Sequence, residues 1–320
     1  MQLPESDDIR RAHEIVRKHA HNTPVITNRS LNDRCGCRVF LKCENLQKVG
    51  AFKFRGASNV IFSLAEQEAH RGVATHSSGN HAQAITLAAK IRGIPAYIVM
   101  PENAPEVKVN AVRDYGGEIT FCKSTLQARE STLQRVVKNT GATFIHPYND
   151  PRIIAGQGTA ALELLNRYPN LDLILAPVGG GGLLSGTAIA TSEHGNVRVI
   201  GTEPEEADDA YRSFKKGELI PLEHTETVAD GLRTSLGDLT FACIRTFVDD
   251  IVTVSESEIV KAMRFVWERT KLIIEASSAV PVATLMFDKL DVNDLDVGII
   301  ISGGNVDLDH LPWNMEKVPG

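Results

Sequence analysis

The sequence predicts an α/β protein built on open, twisted parallel sheets. Nine short apolar segments alternate with helical patterns along the chain, and such alternation is typical of parallel strands joined by right-handed helical crossovers. One segment, residues 171–178, is almost entirely apolar, as expected for a strand buried on both faces. Several segments run into turns rich in Gly, Ser and Asn. Such turns meet at the carboxyl edge of a parallel sheet, where open α/β folds bind ligands.

The nine predicted strands are residues 39–43, 72–75, 96–100, 118–122, 143–145, 171–178, 197–202, 251–254 and 297–301. Helical patterns occupy most of the intervals between them. Ser255 followed by Glu258 predicts a capping box at the start of a long helix.

Composition and charge narrow the class of protein. A chain of 320 residues with 42% hydrophobic residues can fill one large domain or two smaller ones. It has 34 Lys and Arg against 40 Asp and Glu, and the net charge of −6 argues against a nucleic-acid surface. No apolar run reaches ~18 residues, and the polar N-terminus, MQLPESDD, does not resemble a signal peptide. The five cysteines form no CxxC pair, so we expect reduced thiols, a cytoplasmic location and no membrane partner.

The segment around Lys53 is the first candidate for covalent chemistry. Residues 50–56 are GAFKFRG, so a lone lysine lies between two aromatic residues where a helix is predicted to start. Bulky apolar neighbours exclude water, which lowers the pKa of the amine and leaves more of it neutral and nucleophilic. Such an amine can form a Schiff base with an aldehyde cofactor. A lysine near a helix start is more often a solvated surface group, so the interpretation depends on the motifs that follow.

A run of four glycines predicts a phosphate site. Residues 176–186 are APVGGGGLLSG, which places Gly179, Gly180, Gly181 and Gly182 between a buried strand and an apolar helix. Without side chains the backbone approaches an anion closely, and the helix N-terminus adds partial positive charge. The run matches neither the GxxxxGK[ST] loop nor the GxGxxG fingerprint. A flexible glycine-rich turn is the alternative interpretation.

Two further turns follow predicted strands. Residues 75–84, THSSGNHAQA, precede a helix expected to end near residue 92, and their Ser and Asn side chains could instead be ordinary helix caps. Residues 299–305, IIISGGN, repeat the pattern of a buried strand and a glycine turn. Several such turns and one well-placed lysine together suggest a single phosphorylated aldehyde cofactor, pyridoxal phosphate.

On these motifs the chain resembles the fold type II (tryptophan synthase β-like) pyridoxal-phosphate enzymes, specifically the serine racemase and serine/threonine dehydratase family. The resemblance extends from about residue 21 to residue 308. The motifs occur in family order: the Lys53 segment, SSGNH at 77–81, AGQGT at 155–159, the tetraglycine run and SGGN at 302–305. The resemblance implies two open twisted parallel-sheet domains with the cofactor between them. Residues 1–71 and 150–320 would form the large cofactor-binding domain, and residues 72–149 the small mobile domain.

The resemblance also implies which residues hold the cofactor. Lys53 would bind its aldehyde and, once displaced by substrate, act as the base on one face of the substrate α-carbon. Phe52 would pack against the ring, Asn80 would hydrogen-bond the 3-hydroxyl, and the four glycines would bind the phosphate. Ser302 would face the pyridine nitrogen. Because a serine cannot supply the charge of an aspartate, we expect that nitrogen to stay largely unprotonated and the cofactor to be a weaker electron sink.

Ser78 bears on whether the enzyme racemises its substrate. In serine racemases the matching serine lies across the cofactor from the lysine, and racemisation needs an acid–base group on each face of one carbon. Many threonine dehydratases of the family have alanine there, whereas hydroxyaspartate dehydratases also have serine. The resemblance places Ser77, His81 and Thr234 beside the substrate as well.

Arg129 is the reason to consider a second substrate. It matches a family arginine near the distal end of the substrate, where a guanidinium can bind a second carboxylate with two hydrogen bonds. The substrate 3-hydroxyaspartate would supply that carboxylate. A solvated helix residue is the alternative interpretation.

A divalent cation is also implied by the resemblance. Glu203 and Asp209 match the family's carboxylate ligands, with the carbonyl of Ala207 as a third oxygen. Hard oxygen ligands completed by water suit Mg²⁺, with Ca²⁺ or Mn²⁺ as alternatives. Without the resemblance, an acidic helix N-terminus would explain these residues equally well.

Two segments depart from the family pattern and leave the exact substrate open. Tyr148 follows His-Pro where racemases commonly have Asn, and residues 275–279, EASSA, replace a more usual EPTAG or EGAG. The expected function is a homodimeric dehydratase and racemase of L-serine, D-serine and L-threonine that releases a 2-oxo acid and ammonia. One alternative is a dedicated 3-hydroxyaspartate dehydratase that gives oxaloacetate and ammonia. An alternative of another class is a non-catalytic ligand-binding relative, against which Lys53 and Ser78 count.

Overall fold

Two sheets flanked by helices make up the chain in the computed structural model, which describes residues 2–104 and 106–314. The helices are α1 (Ser6–Val16), α2 (Arg29–Cys35), α3 (Lys53–Ser63), α4 (Glu66–Ala69), α5 (Asn80–Arg92), α6 (Glu106–Asp114), α7 (Leu126–Thr140), α8 (Pro151–Arg167), α9 (Gly182–Thr191), α10 (Asp209–Lys216), α11 (Asp238–Phe247), α12 (Glu256–Thr270) and α13 (Ala276–Met286). The strands are β1 (Val25–Ile26), β2 (Arg38–Cys43), β3 (Val73–His76), β4 (Ala96–Pro101), β5 (Glu118–Cys122), β6 (Thr143–Phe144), β7 (Leu173–Pro177), β8 (Arg198–Pro204), β9 (Asp250–Val254) and β10 (Asp296–Ile301). Short 3₁₀ helices lie at Glu44–Leu46, Lys48–Gly50, Glu205–Ala207, Asp230–Leu232 and Pro312–Asn314. Among these residues no helix combines the length and the apolar character needed to cross a membrane.

The larger sheet has six strands in the order β1-β2-β10-β7-β8-β9, and the smaller has four in the order β5-β4-β3-β6. In the described part of the chain every neighbouring pair is parallel except β1 with β2, where Val25 lies opposite Lys42. The predicted fold class, α/β with two parallel sheets, is therefore confirmed.

The nine predicted strands are all present, and their ends lie within two residues of the predicted bounds. The capping box is also confirmed: the backbone N–H of Ser255 donates to Glu258 Oε2 at 2.8 Å, and the N–H of Glu258 donates to Ser255 Oγ at 3.4 Å. Strand β1 was missed, because two residues are too few to show a hydrophobic period.

Strand β10 shows why the central strands are apolar throughout. Ile299 and Ile301 pack into a core formed with α12 and α13, whereas Ile300 packs into a second core formed with α8 and α9. Helices thus cover both faces of the larger sheet, and alternate side chains of a central strand are buried on opposite sides.

Helix α3, which begins at Lys53, is buried between the smaller sheet and helix α8. Its apolar residues Phe54 and Ile61 share a core with Val73 and Ile98 of the smaller sheet. On its other side it meets α8 at two glycines. A Cβ added to Gly156 would come within 2.6 Å of Gly56 Cα, so the two backbones touch there. Gly156, the first glycine of the AGQGT motif, is therefore required because a side chain would separate the two helices.

A buried ion network fixes α3 further. Arg55, two residues after Lys53, is fully buried and donates from Nε to Glu44 Oε2 and from its NH2 nitrogen to Glu163 Oε2, both at 2.7 Å. Lys42 donates from Nζ to the same Glu163 oxygen at 2.6 Å. Two cations and two carboxylates therefore balance in the interior, and they tie α3 to β2 and α8.

Candidate active site

A cavity of about 400 Å³ lies between the two sheets, at the carboxyl ends of β3, β7 and β10. The residues predicted to bind cofactor and substrate all line it: Phe52, Lys53, Ser77, Ser78, Asn80, His81, Arg129, Gly179, Gly180, Gly181, Gly182, Thr234 and Ser302. These residues are separated widely in sequence, and the parallel topology brings them together because it places the strand ends at common edges.

Backbone contacts with the end of β10 hold the segment that precedes Lys53. The N–H of Phe52 donates to the carbonyl of Ser302, and the N–H of Gly304 donates to the carbonyl of Gly50, both at 2.9 Å. Val49 has a φ of +56°, a conformation that a β-branched residue rarely adopts, and its carbonyl accepts a 2.7 Å hydrogen bond from Asn305 Nδ2. The lysine is thus placed by the sheet edge rather than by a free loop.

The amine of Lys53 lies in an environment that favours its neutral form. It donates to the carbonyl of Pro147 at 3.1 Å and lies 5.0 Å from the centre of the Phe52 ring. Burial lowers its pKa to about 8, and the charge of Glu275 opposes that shift. At neutral pH a useful fraction of this amine is therefore unprotonated, as a nucleophile or a base requires.

The glycine run forms a turn into which side chains do not fit. Gly181 has a φ of +87°, which favours glycine, and Gly182 begins helix α9. A Cβ at Gly180 would come within 2.3 Å of the Tyr148 ring. Backbone N–H groups at a helix N-terminus that faces a cavity suit an anion such as a phosphate.

The SSGNH turn links β3 to α5. The cap of α5 is Gly79, and Ser77 Oγ accepts its backbone N–H at 3.2 Å. The hydroxyl of Ser78 lines the cavity and forms no hydrogen bond with the described residues. The alternative interpretation of Ser78 as a helix cap is therefore wrong, and its hydroxyl is available to a ligand.

Asn80 belongs to a hydrogen-bond network that the sequence did not predict. Its Nδ2 donates to both carboxylate oxygens of Glu275, at 3.1 and 3.2 Å, and its Oδ1 accepts from Asn305 Nδ2 at 2.9 Å. Burial raises the pKa of Glu275 to about 7, with a further contribution from Asp230, while the bonds from Asn80 and Asn305 oppose the rise. The network fixes the orientation of the Asn80 side chain at the N-terminus of α5.

Three histidines lie near the cavity. Burial lowers the pKa of His76, lowers that of His146 to about 4, and holds that of His81 well below its ordinary value. Nδ1 of His146 accepts the N–H groups of Tyr148 and Asn149, so its proton is on Nε2. All three rings are therefore neutral at physiological pH, and they add no positive charge to the cavity.

Two cations approach the cavity from helices next to the smaller sheet. Arg129 on α7 lines the cavity, and its buried Nε has no hydrogen-bond partner among the described residues. Lys108 on α6 donates to Asp230 at 2.6 Å and so joins α6 to the 3₁₀ helix at Asp230–Leu232. Nothing in the sequence marked this ion pair, since neither residue lies in a motif.

Glu203 and Asp209 lie together in the interior, away from the cavity lining, and both are fully buried. The two oxygens of Glu203 accept the N–H groups of Ala210 and Tyr211 at 3.1 and 2.8 Å, and burial raises the pKa of Glu203 well above its ordinary value. Burial also raises the pKa of Asp209 to about 7, and its Oδ1 has no partner in the described part of the chain. No group of three or more His, Cys, Asp or Glu side chains suited to a metal occurs among the described residues. A cation here would therefore depend on two carboxylates and a backbone carbonyl.

Comparison with known proteins identifies the family. The family model described as "Pyridoxal-phosphate dependent enzyme" matches residues 16–303. The chain belongs to this family. The cavity with its half-buried lysine is therefore the candidate active site of a pyridoxal-phosphate dependent enzyme, and the resemblance inferred from the motifs is confirmed.

Individual relatives of this pyridoxal-phosphate dependent enzyme cover 95–98% of its length. It is 49% identical over 315 residues to the beta-hydroxyaspartate dehydratase of Paracoccus denitrificans (strain Pd 1222), with 98% of this chain and 100% of that protein covered. It is 50% identical over 313 residues to the serine racemase of Dictyostelium discoideum, with 95% of each covered. The structure of maize serine racemase is similar with a TM-score of 0.94 at 45% identity, and covers 98% of this chain and 97% of that one.

The pKa of Lys53 leads to a prediction about cofactor capture. Only the neutral amine attacks an aldehyde, so the rate at which apoenzyme captures pyridoxal phosphate should rise with pH through about 8. The charge of Glu275 raises the pKa of Lys53, so Glu275→Gln should move the midpoint to lower pH. The rate is measured by absorbance over a pH series for both proteins, with Lys53→Ala as the blank. A midpoint that stays in place or moves upward in Glu275→Gln would show that this carboxylate does not act on the amine.

Proposed function

We propose that this pyridoxal-phosphate dependent enzyme is a dehydratase and racemase of small β-hydroxy amino acids, L-serine, D-serine and L-threonine. The observation that supports the proposal best is that an amine with a lowered pKa and an unengaged hydroxyl, those of Lys53 and Ser78, line one cavity. The relatives named serine racemase are in keeping with it.

The cofactor fits the residues of the cavity. Its aldehyde would be bound by Lys53, its ring would pack against Phe52 and its 3-hydroxyl would meet Asn80. The glycines of the tetraglycine run would bind its phosphate through backbone N–H groups, where the helix N-terminus and the absence of side chains favour an anion. Ser302 would face the ring nitrogen. When bound, the cofactor supplies an electron sink for the bonds at the substrate α-carbon.

The chain's own groups move the protons. The amine of Lys53, with a pKa near 8, would take the α-proton of the L-enantiomer on its own face. The hydroxyl of Ser78 would exchange a proton on the opposite face, which racemisation requires and simple elimination from an L-substrate does not. Loss of the β-hydroxyl as water, with the proton removed from the α-carbon, would leave an enamine, which water would hydrolyse to a 2-oxo acid and ammonia.

The substrate carboxylate would be bound at the start of α5. Ser77, His81 and the first residue of that helix, Asn80, line the cavity, and a helix N-terminus favours a negative charge. Thr234 would contact the substrate from the opposite wall. Because the three histidines near the site are neutral, the helix and the hydroxyls provide most of this recognition.

The domain division predicted from the resemblance fits this arrangement. Residues 1–71 and 150–320 would form the large domain and residues 72–149 the small mobile one, so that closure brings Ser78 towards Lys53. The ion pair of Lys108 with Asp230 joins residues of the two proposed domains and would favour the closed form. A homodimer is proposed from the resemblance. A cytoplasmic location is proposed because the five cysteines are buried free thiols, as suits a reducing compartment.

The role of Ser78 can be separated from a structural one. We expect Ser78→Ala to lower serine racemisation and elimination from D-serine by roughly 10²- to 10⁴-fold, the usual contribution of a general acid–base group. Elimination from L-serine should persist, since Lys53 acts on its own face. The melting temperature should not change, because this hydroxyl forms no hydrogen bond with the described residues. Both products are measured in the purified variant, and an unchanged ratio of racemisation to elimination would refute the two-face assignment.

A dedicated 3-hydroxyaspartate dehydratase is the second candidate function. The observation that favours it is the guanidinium of Arg129, which lines the cavity with a buried Nε that lacks a partner among the described residues. A second carboxylate would satisfy it. The relative named beta-hydroxyaspartate dehydratase is in keeping with this candidate.

Arg129 also supplies the test that separates the two candidates. A hydrogen bond to a charged group contributes about 1.5–3 kcal/mol, or roughly 10- to 150-fold in kcat/KM. We expect Arg129→Ala to lower kcat/KM for 3-hydroxyaspartate by that factor and to affect L-serine and L-threonine much less. Arg135→Ala is the matched control, since Arg135 is exposed on the same helix. Equal losses for the dicarboxylate and the monocarboxylates would show that Arg129 binds no second carboxylate.

We also propose a divalent cation, Mg²⁺ or else Ca²⁺ or Mn²⁺, at Glu203, Asp209 and the carbonyl of Ala207. Burying two ionised carboxylates costs free energy when no cationic side chain bonds to either of them. The unpartnered Oδ1 of Asp209 offers a ligand atom to a cation. Hard oxygen donors suit these cations.

Removal of the cation should destabilise the protein. Because a cation bound only by the folded state stabilises it by mass action, about 2.7 kcal/mol at 100 times its Kd, a chelator should lower the melting temperature and the activity. Glu203→Gln should abolish this response, and Glu206→Gln, an exposed neighbour, should retain it. Melting curves of each protein, recorded with and without chelator, test whether a cation binds there. A wild-type curve that chelator leaves unchanged would exclude the site.

A further inference from the structure

The carbonyl that accepts the amine of Lys53 belongs to a short connector, residues 146–149, which lies between strand β6 and helix α8. Asn149 holds the end of this connector. Its Oδ1 accepts two backbone N–H groups in the first turn of helix α11, at 3.0 and 3.3 Å, and its Nδ2 donates to Asp238 Oδ1 at 2.7 Å. Asn149 therefore caps α11 from outside that helix.

Further contacts hold the connector in one conformation. A Cβ at Gly237 would come within 2.3 Å of the Asn149 side chain, so a glycine there leaves the room that the cap needs. Within the connector, His146 Nδ1 accepts the N–H groups of Tyr148 and Asn149 at 3.3 and 2.9 Å. The next residue, Asp150, caps helix α8 with its own side chain. The peptide groups of the connector are therefore bound at both ends and have little freedom to turn.

A carbonyl in a fixed place orients the amine that donates to it. A neutral amine has two N–H bonds and one lone pair. Because one N–H of Lys53 donates to the Pro147 carbonyl at 3.1 Å, the amine is held against one wall of the cavity, and its lone pair is left free for a ligand. Without this acceptor the flexible four-carbon stem would sample many orientations. A nucleophile that is already oriented reacts faster, since it has lost that entropy before the reaction begins.

We infer that Asn149 is a positioning residue, which holds the Pro147 carbonyl in place and through it directs the lone pair of the Lys53 amine towards the cavity. The inference rests on the proposed function, in which Lys53 binds the cofactor and later takes the α-proton. Asn149 does not line the cavity, so it acts only through the connector. The same carbonyl would hold the amine before cofactor binds and again after substrate has displaced the amine.

The test is the rate at which apoenzyme captures pyridoxal phosphate, measured by absorbance over a range of cofactor concentrations. The pH is kept well above 8, where the amine of Lys53 is neutral. The limiting rate at saturating cofactor then reports the orientation of the amine, whereas the half-saturating concentration reports the binding of the cofactor. We expect Asn149→Ala to lower the limiting rate roughly 10- to 100-fold and to change the half-saturating concentration much less.

Asn28→Ala is the matched control for the loss of a helix cap. Asn28 caps helix α2 by accepting the N–H of Leu31 at 3.0 Å, and it lies outside the cavity lining. Both variants should have lower melting temperatures than wild type, because each loses a cap. Only Asn149→Ala should capture the cofactor more slowly.

An exchange of two side chains tests the cap itself. Asn149→Asp alone places two carboxylates together and should slow capture. Asn149→Asp combined with Asp238→Asn restores a carboxylate oxygen for the N–H groups of α11 and an amide that donates to it. The double variant should therefore recover most of the wild-type limiting rate.

A limiting rate in Asn149→Ala equal to that of wild type would overturn the inference, as would an equal fall in Asn28→Ala. A loss confined to the half-saturating concentration would also overturn it, as would a double variant that melts like wild type but captures as slowly as Asn149→Ala. If these outcomes occur while wild type captures cofactor on Lys53 and deaminates L-serine, the proposed function stands and only the role of Asn149 fails. If wild type captures no cofactor, or captures it on another lysine, the proposed function itself fails.

Discussion

The buried ion network around Arg55 fixes the helix on which the chemistry depends. Arg55 has to keep its charge in an interior without water, which it can do only because Glu44 and Glu163 bind it and Lys42 balances the second carboxylate. Lys42 belongs to β2, Glu44 to the 3₁₀ helix that follows β2, and Glu163 to α8. The network therefore holds helix α3 against β2 and against α8. The first residue of that helix is Lys53, and its amine is therefore held in place from one side by charge pairing and from the other by the backbone bonds of β10.

Burial in the cavity then determines the chemistry of the side chains that face it. Loss of water lowers the pKa of Lys53 to about 8 and raises that of Glu275 to about 7, so both groups titrate near neutral pH although their ordinary values differ by about six units. The same loss of water keeps the nearby histidines neutral. The histidines therefore add no charge for binding anions, to which helix N-termini, the glycine turns and the guanidinium of Arg129 contribute.

Much of this arrangement could be predicted from the sequence, because its signals are local. Apolar runs indicated the strands, glycine and serine turns indicated their carboxyl ends, and parallel topology implied that those ends converge. The position of Lys53 between two aromatic residues indicated a desolvated amine, and burial in the structure agrees with that interpretation. The AGQGT segment was recognised only as a motif, and the structure adds its physical reason, the contact of Gly156 with Gly56.

Features that depend on distant contacts could not be predicted. Glu275 accepts hydrogen bonds from Asn80 and Asn305, and these two asparagines, 225 positions apart, also bond to each other. Ser278 and Ser302 belong to segments that the sequence singled out, but nothing in the sequence paired them, and Lys108 and Asp230 lie in no motif at all. In each case the residue type is ordinary for its local structure, and only the tertiary packing brings the partners within hydrogen-bond distance.

The proposed chemistry depends above all on Lys53 as the residue that binds the cofactor. It is tested most directly by reducing the holoenzyme with borohydride, digesting it and locating the cofactor-modified peptide by mass spectrometry. We expect the label on Lys53 alone and none in Lys53→Ala. Lys48→Ala changes a lysine outside the cavity lining and should incorporate as much label as wild type. Labelling of another lysine at the wild-type level, or undiminished incorporation in Lys53→Ala, would contradict it.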